Sequence, residues 1–133
     1  MAKKPTKAKK VTRKDLAKLK DRLWRLEDFY NDFDSFIGAY GGHYAQMKRK
    51  PFRLEVYMFD YDEDEYAAVV LTPKRDKDGK LVGGLSVKGI DLSTGKTVTR
   101  GNWKDLSGDP VAKIWKMFFK IDAAHDMWDS YRR

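Results

Sequence analysis

Three aspartates at alternating positions, in the segment DYDEDE, are the first residues whose spacing could support chemistry. Asp60, Asp62 and Asp64 stand where the first oxygen ligands of a calcium-binding loop would stand. That loop also needs a glycine at its sixth position and a glutamate at its twelfth, which are here Glu65 and Leu71. The pattern therefore favours a solvated hairpin tip, whose charges discourage edge pairing, over a metal site. Whether the acidic loop 60–65 binds anything else stays open.

Catalytic chemistry has few candidate residues. The chain has no cysteine, which excludes disulfides, thiolate nucleophiles and cysteine metal sites. His43 has no obvious serine, cysteine or histidine partner, and His125 falls on an apolar helix stripe typical of a packed core residue. The segment GAYGG matches neither the dinucleotide-binding nor the P-loop pattern. We therefore expect a protein that is not an enzyme and that holds no cofactor and no metal.

Positive charge is concentrated at the start of the chain. The net charge is +8, and residues 1–20 carry nine bases against one acid, Asp15, so the remaining residues sum to zero. Residues 1–11 contain repeated lysines and little to bury, which predicts a disordered basic arm ahead of a single domain over 12–133. Lysines in such an arm would neutralise the phosphates of a nucleic acid. The alternative is a tail that only keeps the chain soluble.

A second basic surface is predicted on one face of a sheet. In FRLEVYMF, Arg53, Tyr57 and Phe59 alternate with core residues and point away from them. The next strands would add further residues to this face: Lys80, Ser86, Lys88, Lys96, Val98 and Arg100. Together they would form a platform on which single-stranded bases stack, unless a helix or a second subunit covers the aromatic rings. The candidate nucleic-acid-binding residues are Lys3, Lys4, Lys7, Lys9, Lys10, Arg13, Lys14, Lys18, Arg53, Tyr57, Phe59, Lys88 and Arg100.

A long amphipathic helix over residues 13–40 is predicted to position part of this charge. Apolar residues recur at spacings of three and four, Thr12 and Asp15 supply an N-terminal capping pattern, and Gly41 follows the last turn. The first half has a narrow leucine seam, which suits a partner helix, although a helix that overhangs its own domain would look the same. Its first half is basic and its second half acidic, the reverse of what the helix dipole prefers. The candidate partner-binding residues are Leu16, Leu19, Leu23 and Trp24.

The rest of the chain predicts four strands and a second helix. The strands cover about residues 52–101, with Pro73 closing the second strand and Asp78-Gly79 forming a hairpin turn. The segment HYAQMKRKP before them is interpreted as a polar connector, and glycines in the third strand predict a bulge or a close backbone approach. Asp109 and Pro110 start a helix that runs to about residue 130. The fold class is therefore α+β in the order α-β-β-β-β-α, and the meander followed by a helix resembles, in topology alone, the unit of Whirly-type single-strand-binding proteins.

Two functional hypotheses from different classes fit these features. The first is a small, non-enzymatic protein that binds DNA or RNA, with the arm on phosphates and the sheet face stacking bases. The alternative is a protein–protein interaction module, such as an assembly or inhibitor protein or a bacterial or phage accessory factor, that uses the leucine seam and Trp24. No apolar run is long enough to cross a bilayer, so we expect a cytoplasmic protein without a membrane partner. The sequence leaves open DNA versus RNA, sequence preference, the identity of any partner and the oligomeric state.

Overall fold

The computed structural model describes residues 12–132, apart from the side chains of residues 21–24 and 125–132. The elements in chain order are α1 (Arg13–Tyr40), β1 (Ala45–Arg49), β2 (Phe52–Phe59), β3 (Glu65–Arg75), β4 (Leu81–Asp91), β5 (Lys96–Trp103) and α2 (Pro110–Arg132). The strands form one antiparallel sheet in the order β1-β2-β3-β4-β5, so each strand pairs with the next along the chain. The predicted α+β class and the meander are confirmed, with five strands in place of four.

Local hydrogen bonds account for the ends of the helices. The Thr12 hydroxyl accepts from the Asp15 N–H at 3.1 Å, and the Asp15 carboxylate accepts from the Thr12 N–H at 3.2 Å. This capping box satisfies donors that the first turn leaves unpaired. Asp109 does the same for α2 by accepting from the Ala112 N–H at 3.1 Å. Gly41 ends α1 with a φ of 121°, which favours glycine, so both predicted helices are confirmed.

Both helices pack against the same face of the sheet. The interior combines residues of α1 and α2 with the inward side chains of the central strands: Phe33, Phe36, Leu54, Val56, Val69, Leu71, Leu85, Val87, Ile114, Phe118 and Ile121. The ring of Phe33 stacks on that of Phe52 with 5.2 Å between centroids, which seats α1 on β2. Each large side chain buried here contributes about 1.5–3 kcal/mol. Over its described residues, neither helix holds an apolar stretch long enough to cross a bilayer.

The segment interpreted as a polar connector contains the edge strand β1, so that interpretation is wrong. β1 has only β2 as a neighbour, and of its five residues only Ala45 is buried. A short edge strand with charged residues such as Lys48 and Arg49 avoids pairing with other chains. Such a strand has little apolar alternation, so the period-two signal that predicted β2 is absent from it.

Pro73 does not close the second predicted strand, because β3 continues through it to Arg75. The pairing of β2 with β3 extends only as far as Leu71, whereas the pairing of β3 with β4 includes Pro73 opposite Leu85. At Pro73 the strand therefore has one neighbour instead of two. A proline, which lacks an N–H donor, is tolerated where a strand has this edge character.

Gly89 lies where β4 passes beneath α2. A Cβ atom built at this position would stand 2.6 Å from Cγ2 of Thr99 and 3.3 Å from Cδ1 of Ile121. Thr99 is also its pairing partner on β5, and the register of the two strands shifts immediately after this pair. The strand's glycines predict a bulge or a close backbone approach. The structure shows a register shift beside Gly89, with the extra residue on β5, and a close approach of side chains from β5 and α2, which lets α2 sit directly on the sheet.

Replacing Gly89 by alanine is expected to lower the free energy of unfolding by about 1–3 kcal/mol, because the added methyl group overpacks the contact with Thr99. Urea denaturation measures this change. Gly83→Ala is the matched control, since Gly83 lies on the same strand with open space around its Cβ position. It should change stability by no more than about 0.5 kcal/mol. Equal losses of stability for the two variants would contradict the packing argument.

Candidate nucleic-acid interface

The face of the sheet opposite the helices, here called the open sheet face, is polar and basic. Its outward side chains, assigned by alternation with the buried residues and by the strand register, are Gln46, Lys48, Arg53, Glu55, Tyr57, Ala68, Val70, Thr72, Ser86, Lys88, Ile90, Thr97, Arg100 and Asn102. No helix covers it within the described part of the chain, since the described helix residues in the core meet the other face. The alternative in which a helix of this chain covers Tyr57 is therefore not seen among these residues.

Two pairs of like charges lie directly opposite one another on this face. Lys88 of β4 is the register partner of Arg100 on β5, and Lys48 of β1 is the partner of Arg53 on β2. Directly opposed side chains have Cβ atoms about 4.5–5.5 Å apart, and like charges at that separation destabilise a sheet. Lys88 and Arg100 are both exposed, and neither forms an ion pair with another described residue. Sheet stability therefore does not account for this pair.

Glu55 is the carboxylate of the open sheet face, and it compensates the Lys48–Arg53 side. It accepts a hydrogen bond from Nε of Arg53 at 2.6 Å and another from the hydroxyl of Tyr57. Burial raises the pKa of Glu55, but these hydrogen bonds and the nearby charges of Arg53 and Lys48 lower it by more, so the pKa lies below its usual value. Burial and the contact with Glu55 raise the pKa of Tyr57. The tyrosine ring is thereby held in one orientation on the face.

The aromatic part of the site differs from the predicted platform. The register of β2 and β3 shifts at Phe59, where β3 carries one extra residue, Tyr66. The ring of Phe59 stacks on His43 with 4.9 Å between centroids and an interplanar angle of 11°. Tyr44 approaches both rings edge-on. One side of Phe59 is therefore occupied, and the aromatic surface available beside the basic residues consists of Tyr57 and this neighbouring cluster.

Three residues predicted on the face do not belong to it. Lys80 lies in the turn before β4. Val98 packs against the core cluster instead of sharing a face with Arg100. Lys96 is the third residue. The register of β4 and β5 shifts between Lys96 and Arg100, so Lys96 pairs with Asp91 whereas Arg100 pairs with Lys88. A bulge inserts one residue and reverses the alternation beyond it, which strict period two does not anticipate.

The predicted residues at the start of the chain are only partly described. Arg13, Lys14 and Lys18 lie on the exposed first turns of α1. The remaining arm residues lie outside the described part of the structure: Lys3, Lys4, Lys7, Lys9 and Lys10. The disorder predicted for residues 1–11 also falls outside it. Of the predicted partner-binding residues, Leu16 and Leu19 are about half exposed. The side chains of Leu23 and Trp24, like that of His125, are outside the description.

The acidic loop is an exposed turn between β2 and β3. The Asp60 carboxylate accepts the backbone N–H groups of Asp62 and Asp64 at 2.9 and 3.0 Å, so its own loop uses it as a turn cap. Among the described residues, no cluster of three or more histidine or carboxylate side chains could hold a metal ion. The observed loop is the solvated hairpin tip that the missing glycine and glutamate favoured.

An exposed apolar stripe on α2 is absent from the sequence-based prediction. Val111, Trp115 and Phe119 lie four residues apart on the outer side of the helix, and Phe119 is 62% exposed. The rings of Trp115 and Phe119 contact each other with 5.9 Å between centroids. The spacing alone assigns Val111 to the core stripe, because it also fits the spacing of Ile114 and Phe118. Because apolar residues lie on more than one side of α2, their spacing does not show which stripe faces the sheet.

Comparison with models of protein families, with curated proteins and with solved structures gives no match. The functional reasoning therefore depends on the geometry of the described residues.

Replacing Tyr57 by phenylalanine is expected to raise the pKa of Glu55, because it removes a hydrogen bond that favours the ionised carboxylate. NMR titration of the side-chain carboxyl measures the shift. A depressed pKa contributes stability above the unfolded-state value, and this contribution disappears as pH falls through the folded-state value. The stability difference between the native chain and Glu55→Gln should therefore shrink on acidification.

The control for this titration is Tyr66→Phe. Tyr66 donates to Asp122 of α2 at 3.2 Å, away from Glu55, and burial together with that carboxylate raises its pKa to about 12. The control should leave the pKa of Glu55 unchanged. If Tyr57→Phe also leaves it unchanged, the hydrogen bond does not set the charge of Glu55.

Proposed function

We propose that this protein is a non-enzymatic binder of single-stranded nucleic acid and that the open sheet face is its binding surface. The observation that carries the proposal is the uncompensated pair Lys88–Arg100. Two cationic side chains whose Cβ atoms lie about 5 Å apart repel each other in the free protein, and a phosphate placed between their charged groups removes that repulsion. Binding an anion would therefore recover free energy that the fold gives up locally.

The spacing of the charges supports an extended ligand. Adjacent strands lie about 4.8 Å apart and alternate residues about 6.7 Å apart, so Arg53 lies roughly 12 Å from Lys88. A single strand that runs diagonally across the sheet could meet both basic pairs in turn. Polar side chains of Thr72, Ser86 and Asn102 lie along that route and can donate hydrogen bonds to phosphate or sugar.

Tyr57 supports a stacking contribution beside the charges. Its register partner on β3 is Ala68, a residue with a short side chain. The hydrogen bond to Glu55 restricts the ring before any ligand arrives, which reduces the ordering cost of binding. Stacking of a base on such a ring contributes about 1–3 kcal/mol and does not depend strongly on base identity.

The basic start of the chain adds sequence-independent affinity in this proposal. Its lysines precede the exposed first turns of α1, where Lys14 and Lys18 continue the positive charge. Phosphate contacts by lysine fix position and strengthen binding without reading bases. A cytoplasmic location, where nucleic acid is accessible, belongs to the same proposal.

A protein-interaction module is the second candidate, because the leucine seam of α1 is exposed at Leu16 and Leu19. In that case the seam receives a helix of another protein and the basic residues only keep the chain soluble. The two candidates differ in what a salt titration shows: counterion release makes nucleic-acid binding steeply salt-dependent, whereas burial of leucines depends little on salt.

Removing both charges of the uncompensated pair, in the variant Lys88→Ala/Arg100→Ala, should weaken binding to a single-stranded oligonucleotide. The slope of log K against log salt should become shallower by about 0.7 for each phosphate that the variant no longer neutralises. Fluorescence anisotropy with DNA and RNA oligonucleotides over a salt series measures both quantities and distinguishes the two ligands.

Lys116→Ala/Lys120→Ala is the matched control, because it removes the same charge from exposed positions on α2. It should leave the slope nearly unchanged. Tyr57→Leu tests stacking separately: affinity should fall while the slope stays the same, since a ring releases no counterions. Equal slope changes in the two double variants would show that binding follows overall charge, which contradicts a site on the open sheet face.

Deleting residues 2–11 tests the basic arm. If its lysines bind phosphates, each phosphate that the deletion leaves unneutralised should lower the salt slope by about 0.7 on a single strand, or about 0.9 on duplex DNA. The solubility-tail alternative predicts identical slopes for the full chain and the shortened chain. Identical slopes would therefore remove the arm from the binding surface while leaving the open sheet face to be judged by the double variants.

A further inference from the structure

The seam of α1 extends beyond its own sheet with its leucines uncovered. Leu16 is 48% exposed, Leu19 is 51% exposed, and Tyr30, on the same stripe, is 41% exposed. Farther along the stripe, Phe33 is fully buried in the core. The stripe therefore serves the fold in its second half only. Its first half presents apolar side chains at the a and d spacing of a coiled coil.

A groove lies where this seam meets the sheet. It has a volume of about 480 Å³ and is lined by Leu26, Tyr30, Pro51 and Phe52, together with the charged residues Glu27, Arg49 and Arg75. Its apolar lining continues the exposed leucines along the helix. A second helix laid along the seam would place its own apolar side chains in this groove.

The charges beside the seam show which helix fits. With Leu16 and Leu19 at positions a and d, the e positions recur every seven residues and hold Arg13, Lys20, Glu27 and Asp34. All four are exposed, and none forms an ion pair with another described residue. Two positive positions are thus followed by two negative ones. A second α1 helix that runs in the opposite direction would therefore place its negative e positions beside the positive ones of the first.

The second half of α1 is strongly acidic in three dimensions as well as in sequence. Burial raises the pKa of Asp32, and the neighbouring carboxylates of Asp28 and Asp105 raise it further. The helix dipole opposes the charge order of α1, so the isolated helix gains nothing from it.

We infer that two copies of this chain pair through α1 in antiparallel orientation. In this arrangement Leu19 of one subunit lies opposite Tyr30 of the other, and the leucines of each helix fill the groove of its partner. Of the e positions, Lys20 then faces Glu27, a pair that occurs twice because of the two-fold symmetry. Parallel pairing would instead set the basic halves side by side. The pairing uses the helix-covered side of the sheet, so it does not depend on nucleic-acid binding.

A charge-swap experiment without nucleic acid tests the pairing. Lys20→Glu places two carboxylates opposite each other in both of the symmetric pairs, and Glu27→Lys places two cations there. Each single variant should raise the dimer dissociation constant roughly tenfold, given the strength of exposed ion pairs. The double variant Lys20→Glu/Glu27→Lys should restore it. Sedimentation velocity on the full-length chain measures the constant, and Leu19→Glu should give a monomer with unchanged circular dichroism.

Disulfide crosslinking tests the orientation, because the chain has no cysteine of its own. Two variants, Leu19→Cys and Tyr30→Cys, are oxidised separately and as a mixture. Antiparallel pairing predicts a crosslink in the mixture between the two variants and little in either alone, since a disulfide needs Cα atoms about 4.4–6.8 Å apart. Parallel pairing predicts crosslinks in each variant alone. That result, failure of the double charge variant to restore pairing, or a monomer at every concentration of the native chain would overturn the inference.

Discussion

The packing of Phe33 from α1 and of Phe118 and Ile121 from α2 into one core cluster with the inward side chains of the strands holds both helices on one face of the sheet. A sheet covered on one side only must make its other side compatible with solvent. Neutral polar residues such as Thr72 and Ser86 would meet that requirement without cost. This sheet instead places Lys88 opposite Arg100, where like charges weaken strand pairing. Because the core lies on one side only, the Lys88–Arg100 pair stays on an uncovered face, where a bound anion could offset the repulsion.

The helices and the inward strand faces could be predicted because many residues report the same period. The seam of α1 repeats along the whole helix, and the alternation of β2 runs through eight residues, so single exceptions do not alter either pattern. β1 could not be predicted, because an edge strand with one neighbour buries only Ala45 and carries charges that resemble a loop. The extension of β3 through Pro73 depends on where β2 stops pairing, which is a tertiary fact.

In the candidate site too, a repeated local pattern predicts some residues correctly, whereas others depend on tertiary pairing. Alternation places Arg53, Tyr57, Lys88 and Arg100 on one face because it holds between the bulges. Val98 is the extra residue at a register shift, and there alternation fails. The sequence gives His43 no obvious partner, whereas in the structure its ring stacks on Phe59. No local pattern marks such a contact between a loop and a strand, since it requires the fold to bring residues 43 and 59 together.

The two proposed surfaces divide the positive charge of α1 between them. In an antiparallel pair, residues at the e positions face the partner, so Lys20 would be matched by a carboxylate and withdrawn from phosphate binding. Lys14 and Lys18 fall at the f and c positions of the same heptads, which point away from the partner helix. The dimer would therefore leave these two lysines, and the basic residues that precede them, free to contact a nucleic acid. Pairing would also present two open sheet faces and two basic arms in one particle, and linked contacts of that kind strengthen binding to a long strand more than to a short one.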